Sequence, residues 1–220
     1  MNLLDYRPSV DSTIAILNYG TGNMRSVEKA FEQFNAPAVV TSDPDEIEAA
    51  AGIVLIGVGA FPNAITRIRE LKLDEVMTDR ARSGIPLLGI CLGMQLLFEE
   101  SDEWGGAKGL GLLEGRVEKI PAEGEKIPHI GWNAVDWTAE SRLIEGIDNP
   151  CPFYHVHSFA PVPEDREVIL GTAVHGSRFV TAVRRDNIYG VQFHPEKSGP
   201  DGLRMLENFA TICTNAPVPA

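Results

Sequence analysis

Gly89-Ile90-Cys91-Leu92-Gly93-Met94-Gln95 is the stretch on which the reading of this 220-residue chain turns. An apolar run over residues 85–89 arrives as a buried parallel strand does. A helical pattern leaves it, with Leu92, Gln95, Leu96 and Phe98 in register and no Gly or Pro after Gly93. Between the two sits one Cys with a Gly two residues away on each side. That is the layout of a nucleophile elbow, whose tight turn admits only small neighbours and pushes the reactive side chain out at the top of a sheet. A helix N-terminus there favours a thiolate, the reactive form of cysteine, and aims backbone N–H groups at a developing oxyanion. A buried structural cysteine is the plainer reading of any lone Cys. The two glycines and the strand-helix context weigh against it, and a base has to decide.

The candidate base lies far downstream, in His194-Pro195-Glu196, after a second strand-like run at residues 188–193. A catalytic Cys needs its base near in space rather than in sequence, and the base needs an acceptor that orients it. His194 and Glu196 are two residues apart with Pro195 fixing the backbone between them, so extended geometry points both the same way. Alone, the tripeptide also reads as a loop histidine beside a solvated carboxylate.

Together, Gly-x-Cys-x-Gly-x-Gln and the distant His-Pro-Glu resemble the class I, or triad, glutamine amidotransferases. Further stretches resemble one branch of that family, the glutaminase subunits of imidazole glycerol phosphate synthase in histidine biosynthesis. They are Tyr19-Gly20-Thr21-Gly22-Asn23-Met24-Arg25-Ser26-Val27, Gly57-Val58-Gly59-Ala60-Phe61, Pro128-His129-Ile130-Gly131-Trp132-Asn133, Val156-His157-Ser158 and His194-Pro195-Glu196-Lys197-Ser198. The resemblance spans about residues 14–209.

It implies an α/β fold: a central, mostly parallel sheet with helices on both faces and a further antiparallel or mixed β portion in the C-terminal half. It implies Cys91, His194 and Glu196 as the catalytic triad, and the N–H groups of Val58 and Leu92 as the oxyanion hole. Gly57, Gly59, Gln95, His157 and Ser158 would hold glutamine. Trp132, Asn133 and Lys197 would face a (β/α)₈-barrel cyclase subunit in a 1:1 heterodimer. Ammonia would pass to that subunit for synthesis of imidazole glycerol phosphate and an aminoimidazole carboxamide ribonucleotide, with glutaminase activity gated by the partner. Neither metal nor organic cofactor is implied. The chain departs from the family at Ile56, where Pro is usual, and at Phe159, where Tyr is frequent. Two alternatives are a glutaminase serving another ammonia-using synthase and a non-catalytic regulatory subunit of the same fold.

Composition bounds the answer from outside. With 44% hydrophobic and 23% charged residues the chain is globular rather than disordered. A net charge of −12 and a pI near 4.8 argue against nucleic acid or an anionic membrane as partner, and suit a soluble cytoplasmic protein. Cys91, Cys151 and Cys213 are odd in number and unpaired in spacing, so they suggest neither a disulfide framework nor a zinc site. Residues 1–11 lack a long apolar core and read as an extension rather than a secretory signal. Residues 12–215 read as one domain, and residues 216–220 as a tail.

Along the chain, residues 14–17, 38–41 and 52–56 read as strands. Asn23 is placed to cap a helix with Val27, Ala30, Phe31 and Phe34 on its core face, and residues 42–45 start a short acidic helix. Gly20 and Gly22 lack the third Gly of a dinucleotide loop and read as a strand-helix turn. Residues 63–71 and 74–82 are helical. This alternation predicts a parallel sheet with its site at the C-terminal strand ends, where Cys91 and the loop from Gly57 both fall. Residues 101–115, acidic and Gly-rich, read as a long surface loop. Strands follow at 116–120, 130–137, 153–159, 168–174, 179–184 and 188–193, and a helix at 202–214 closes the chain. Trp132 reads, from the residues alone, as a buried core position. His155 and His157 share one strand face without a third ligand, and read as structural or interfacial rather than metal-binding.

Overall fold

Aliphatic runs without polar alternation make the strands of the first half, as befits strands buried on both faces. A computed structural model describes residues 12–216; the expected N-terminal extension and nearly all of the C-terminal tail lie outside them. The first half runs β1 (Ile14–Leu17), α1 (Met24–Gln33), β2 (Ala38–Thr41), α2 (Pro44–Glu48), β3 (Gly52–Gly57), α3 (Phe61–Glu70), α4 (Leu73–Arg82), β4 (Leu87–Cys91) and α5 (Leu92–Leu96). There follow β5 (Phe98–Ser101), β6 (Ala107–Lys108), β7 (Leu113–Lys119), β8 (His129–Trp137), β9 (Cys151–His157), β10 (Phe159–Pro163), β11 (Ile169–His175), β12 (Ser177–Arg185), β13 (Ile188–Val191) and α6 (Gly199–Thr214).

The main sheet has the order β2-β1-β3-β4-β13-β12-β11-β8-β9. Its first five strands are parallel neighbours and the rest are antiparallel. Successive residues of a strand point to opposite faces. Leu17, Ile53, Leu55 and Leu87 accordingly pack with Ile65, Ile68 and Met77 of α3 and α4, while Ile16, Val54, Ile56 and Ile90 pack with Phe31 of α1 and Leu206 and Phe209 of α6. The expected parallel sheet with helices on both faces is therefore present, and the C-terminal half adds the antiparallel strands. Among the described residues no helix is long and apolar enough to cross a membrane.

The chain departs from its sequence reading at several points. α5 stops at Leu96, and Phe98 opens a strand rather than continuing the helix. The carbonyls of Leu96, Leu97 and Phe98, which a longer helix would use internally, instead accept from Leu110, Leu112 and Gly111. The stretch expected to be a long surface loop is thereby drawn into a second sheet, of order β10-β7-β5-β6. Asn23 occupies the N-cap of α1 without a side-chain capping bond, whereas Asp43 caps α2 by accepting from the Asp45 N–H at 3.0 Å. Trp132 is 58% exposed, because it lies on the solvent side of β8.

The turn from β4 into α5 is as crowded as its glycines suggest. A Cβ on Gly89 would lie 2.7 Å from the Gly93 carbonyl oxygen, and one on Gly93 would run into the Leu55 carbonyl of β3. Both obstacles are backbone, so the strand-helix junction has to move if either glycine gains a side chain. Gly93→Ala is expected to destabilise the protein by about 3 kcal/mol or more, against about 1 kcal/mol for Gly111→Ala, which pays only for its positive φ. Urea denaturation of the two variants beside the parent checks this ordering.

Candidate active site

The parallel register sets Gly57 beside Cys91 and Ile56 beside Ile90. Ile56 is buried within that pairing, so the loop at residues 58–60 leaves from fixed backbone even without the usual Pro. Cys91 adopts φ 55° and ψ −115°, a conformation that costs a non-glycine residue about 1–3 kcal/mol and is held by its surroundings. It is the strained turn that presents an elbow side chain to the pocket.

His194 arrives from the other side. β13 is the second parallel neighbour of β4, so the chain beyond Val191 emerges at the same sheet edge. The His194 N–H donates to Tyr154 O at 2.9 Å. The Ser198 hydroxyl donates to His194 O at 2.7 Å and accepts from the Tyr154 N–H at 3.0 Å. These bonds clamp the His194 turn to β9. The His194 Nδ1–H donates to Glu196 Oε1 at 2.9 Å, with both side chains buried, and the imidazole also hydrogen-bonds Cys91. Burial pulls the His194 pKa down, but the hydrogen bonds to Cys91 and Glu196 and their charges outweigh it and push it up to about 9. At neutral pH this is an imidazolium next to a sulfur, with Glu196 steadying its charge.

These groups open into a pocket of about 300 Å³. Val58, Gly59, Cys91, Leu92, Gln95, His157, Ser158, His194 and Lys197 line it, all singled out from sequence. Gly57 does not; it is buried at the end of β3, packed against the Tyr19 hydroxyl. Trp132 and Asn133 lie outside the pocket on β8, where the Asn133 amide donates to Val174 O at 2.8 Å.

Glu103, Pro128, Val156 and Phe159 also line the pocket. Glu103 sits on a 3₁₀ turn (Glu103–Gly105), with Oε2 accepting from the Phe61 N–H at 2.7 Å. It lay in the stretch read as loop and carried no sequence signal. Gln192, fully buried, hydrogen-bonds both Gln95 and Cys91. Its signal was a polar residue inside an apolar run, one strand period before His194. A larger surface groove of about 800 Å³, lined by Trp137, Arg142 and Tyr189 among others, contains neither Cys91 nor His194.

Histidines pack behind the pocket. His129 Nδ1 and His157 Nε2 are 2.9 Å apart, His157 Nδ1–H donates to Phe159 O, and His155 is taken up by Phe153 O and Thr181. The structural reading of His155 and His157 thus acquires partners for their ring nitrogens. Burial lowers the pKa of His129 to about 4, with His175 adding to the effect. Burial likewise lowers His157 to about 3, against the opposing bond to Phe159, and holds His155 well below its ordinary value.

Comparison with known proteins adds the following. A family model described as glutamine amidotransferase class-I matches residues 15–213. The chain is 47% identical over 203 residues to the imidazole glycerol phosphate synthase subunit HisH of Moorella thermoacetica, covering 92% of this chain and 96% of that one. It is 50% identical over 196 residues to the same-named subunit of Desulfitobacterium hafniense, covering 89% and 92%. A solved structure described as PurLQS from Thermotoga maritima superposes with a TM-score of 0.70 at 19% identity, covering 91% of this chain and 98% of that one, and shares the fold.

The opposed histidine shifts set a pH dependence of stability. For His129, His155 and His157, whose folded values are depressed, the unfolded chain takes up protons first, so their contribution is lost as pH falls from about 6.5 toward 4. For His194 the folded value is raised, so its contribution is complete below about 6.5 and is lost as pH rises through about 9. The histidine part of stability is expected to peak near pH 6.5. Denaturation midpoints across pH, for the parent and for His155→Phe with its acid limb flattened, check both signs.

Proposed function

Since the chain belongs to the class I glutamine amidotransferase family, we propose that it is the glutaminase subunit of an imidazole glycerol phosphate synthase, releasing ammonia from glutamine for a cyclase subunit. The observation that carries this reading is the buried Cys91–His194–Glu196 line opening into a glutamine-sized pocket. The 43–50% identity to HisH subunits points to the pathway.

The Cys91 sulfur, as thiolate, attacks the side-chain amide carbon of glutamine. The N–H groups of Val58 and Leu92, two residues that line the pocket, take the oxyanion. His194 gives its proton to the departing ammonia, and Glu196 holds the imidazole in the tautomer this needs. The thioester on Cys91 is then hydrolysed by a water that His194 deprotonates; the C–S bond breaks, returning glutamate, the Cys91 thiolate and a protonated His194. Gln95, held by Phe159 O at 3.0 Å, and the Glu103 carboxylate, which line the pocket, would take the amino-acid end of the substrate, where a carboxylate suits an ammonium. Phe159 offers no hydroxyl, so contacts there fall to the backbone.

The partner reading rests on the pocket mouth. Val58 is 44% exposed there, and β8 leads away from Pro128 presenting Ile130 and Trp132, 59% and 58% exposed. Apolar side chains so placed suit a docking surface. A cyclase subunit bound 1:1 on this face would cover Val58, receive the ammonia, and so gate the hydrolysis. Lys197 lines the same pocket, while Asn133 lies outside it on β8.

Cys91→Ala is expected to lower glutamine-dependent product formation by the complex about 10⁴-fold or more, while synthesis from added ammonium salt persists. Glutamate release by the parent is expected to rise when the cyclase subunit and its nucleotide ligand are added. Retained glutamine-dependent synthesis in the Cys91→Ala complex would sink the reading. Release unaffected by the cyclase subunit would assign the glutaminase to a different synthase.

A further inference from the structure

The Cys91 sulfur has two neighbours besides His194, and they favour opposite protonation states. It lies 3.7 Å from the carbonyl oxygen of Val156, to which a thiol donates. A thiolate has nothing to donate, and that oxygen then repels it. On another side, 3.8 Å away, is Nε2 of Gln192. An amide N–H there favours the negative sulfur, as donors to an ionised partner do.

Which end of the Gln192 amide faces the sulfur follows from the network. Phe159 O can only accept, so the Gln95 atom 3.0 Å from it is the amide nitrogen. The same nitrogen is 3.0 Å from one end of the Gln192 amide, which must then be the oxygen. The remaining end, the NH₂, is turned to Cys91. His157 Nδ1–H donates to the same Phe159 carbonyl from the far side and fixes it in turn. Gln192 is fully buried on the strand segment between β13 and His194, so water does not compete for its donor.

We propose that Gln192 is a further catalytic residue, the second hydrogen-bond donor to the Cys91 thiolate, and that Gln95 and His157 act through it as positioning residues. The proposal rests on the glutaminase reading for its kinetic consequence, but not for its contact with the sulfur. His194, with Glu196 behind it, and Tyr19, beyond β1, are the other titratable groups that face Cys91; Glu103, His157 and Lys197 line the same pocket. None of these titratable groups is altered chemically when Gln192 alone is changed.

Two measurements on the full chain test this. The first is the pH profile of Cys91 alkylation by iodoacetamide, with the modified residue identified by mass spectrometry; Cys91 lines the pocket whereas Cys151 and Cys213 do not, and burial pushes both of those thiols up, so Cys91 dominates. Gln192→Met, which keeps length and loses the donor, is expected to move the profile up by about one pH unit. Gln192→Glu keeps the bond from Gln95 but sets a carboxylate against the sulfur, and is expected to move it further. The second is glutamate release in the presence of the cyclase subunit and its ligand: kcat is expected to fall about tenfold in Gln192→Met with KM for glutamine within about twofold. Unshifted alkylation profiles in both variants, with thermal midpoints near the parent's, overturn the proposal. So does a rise in KM at constant kcat, which marks a role in the pocket's shape alone. Should the parent release no glutamate while the profile still shifts, the glutaminase reading falls and the donor to the sulfur stands.

Discussion

β4 lies hydrogen-bonded between two parallel strands, with Gly57 of β3 against Cys91 on one side and Val191 of β13 against Ile90 on the other. That pairing brings together three chain segments, at Gly57, Cys91 and Val191, that lie far apart in the sequence. The loop at residues 58–60 leaves from one neighbour of β4 and the chain to His194 leaves from the other. Parallel strands end on the same edge, so their following loops have to meet there. The antiparallel strands beyond β13 then bring β9 back, and its carbonyl and N–H at Tyr154 hold the His194 turn from outside.

The same neighbourhood produces different charge states on similar side chains. His194 and His157 line one pocket and are both buried, yet one is held protonated at neutral pH and the other neutral. The difference lies in their company. His194 has Glu196 and the sulfur, which stabilise a cation. His157 is flanked by His129 and bound to a single carbonyl, so desolvation prevails. One imidazole is thereby held as a cation and the others as neutral rings with fixed hydrogen-bond geometry.

How much of this could be read from the sequence depended on whether a feature is local. The elbow was legible because its glycines, its Cys and the flanking apolar run all lie within about ten residues and state a steric demand directly. The α/β alternation up to Cys91 was legible because buried strands and amphipathic helices differ in period. The second sheet was not. Whether α5 continues past Leu96 depends on Leu110 and Leu112 donating back to it, a long-range competition for carbonyls that Gly-rich sequence conceals. Glu103 was lost with the same stretch. Trp132, which the sequence left between a core and an interface position, is exposed on β8, and alternation along a strand cannot say which of its faces meets solvent.

The crowding at the elbow also bears on how such a chain can drift over generations. Any amino-acid change in the codon of Gly89 or Gly93 adds a side chain, and the space for it is occupied by backbone of the next strand or the same turn. No compensating side-chain change nearby can clear a main-chain atom. Single-step variation is therefore closed at the nucleophile and left to the surrounding loops, at residues 58–60, around Glu103 and Pro128, and along residues 156–159. Lineages that share this junction are free to part company in what they serve, and in how they are switched on, long before they can alter the bond they break.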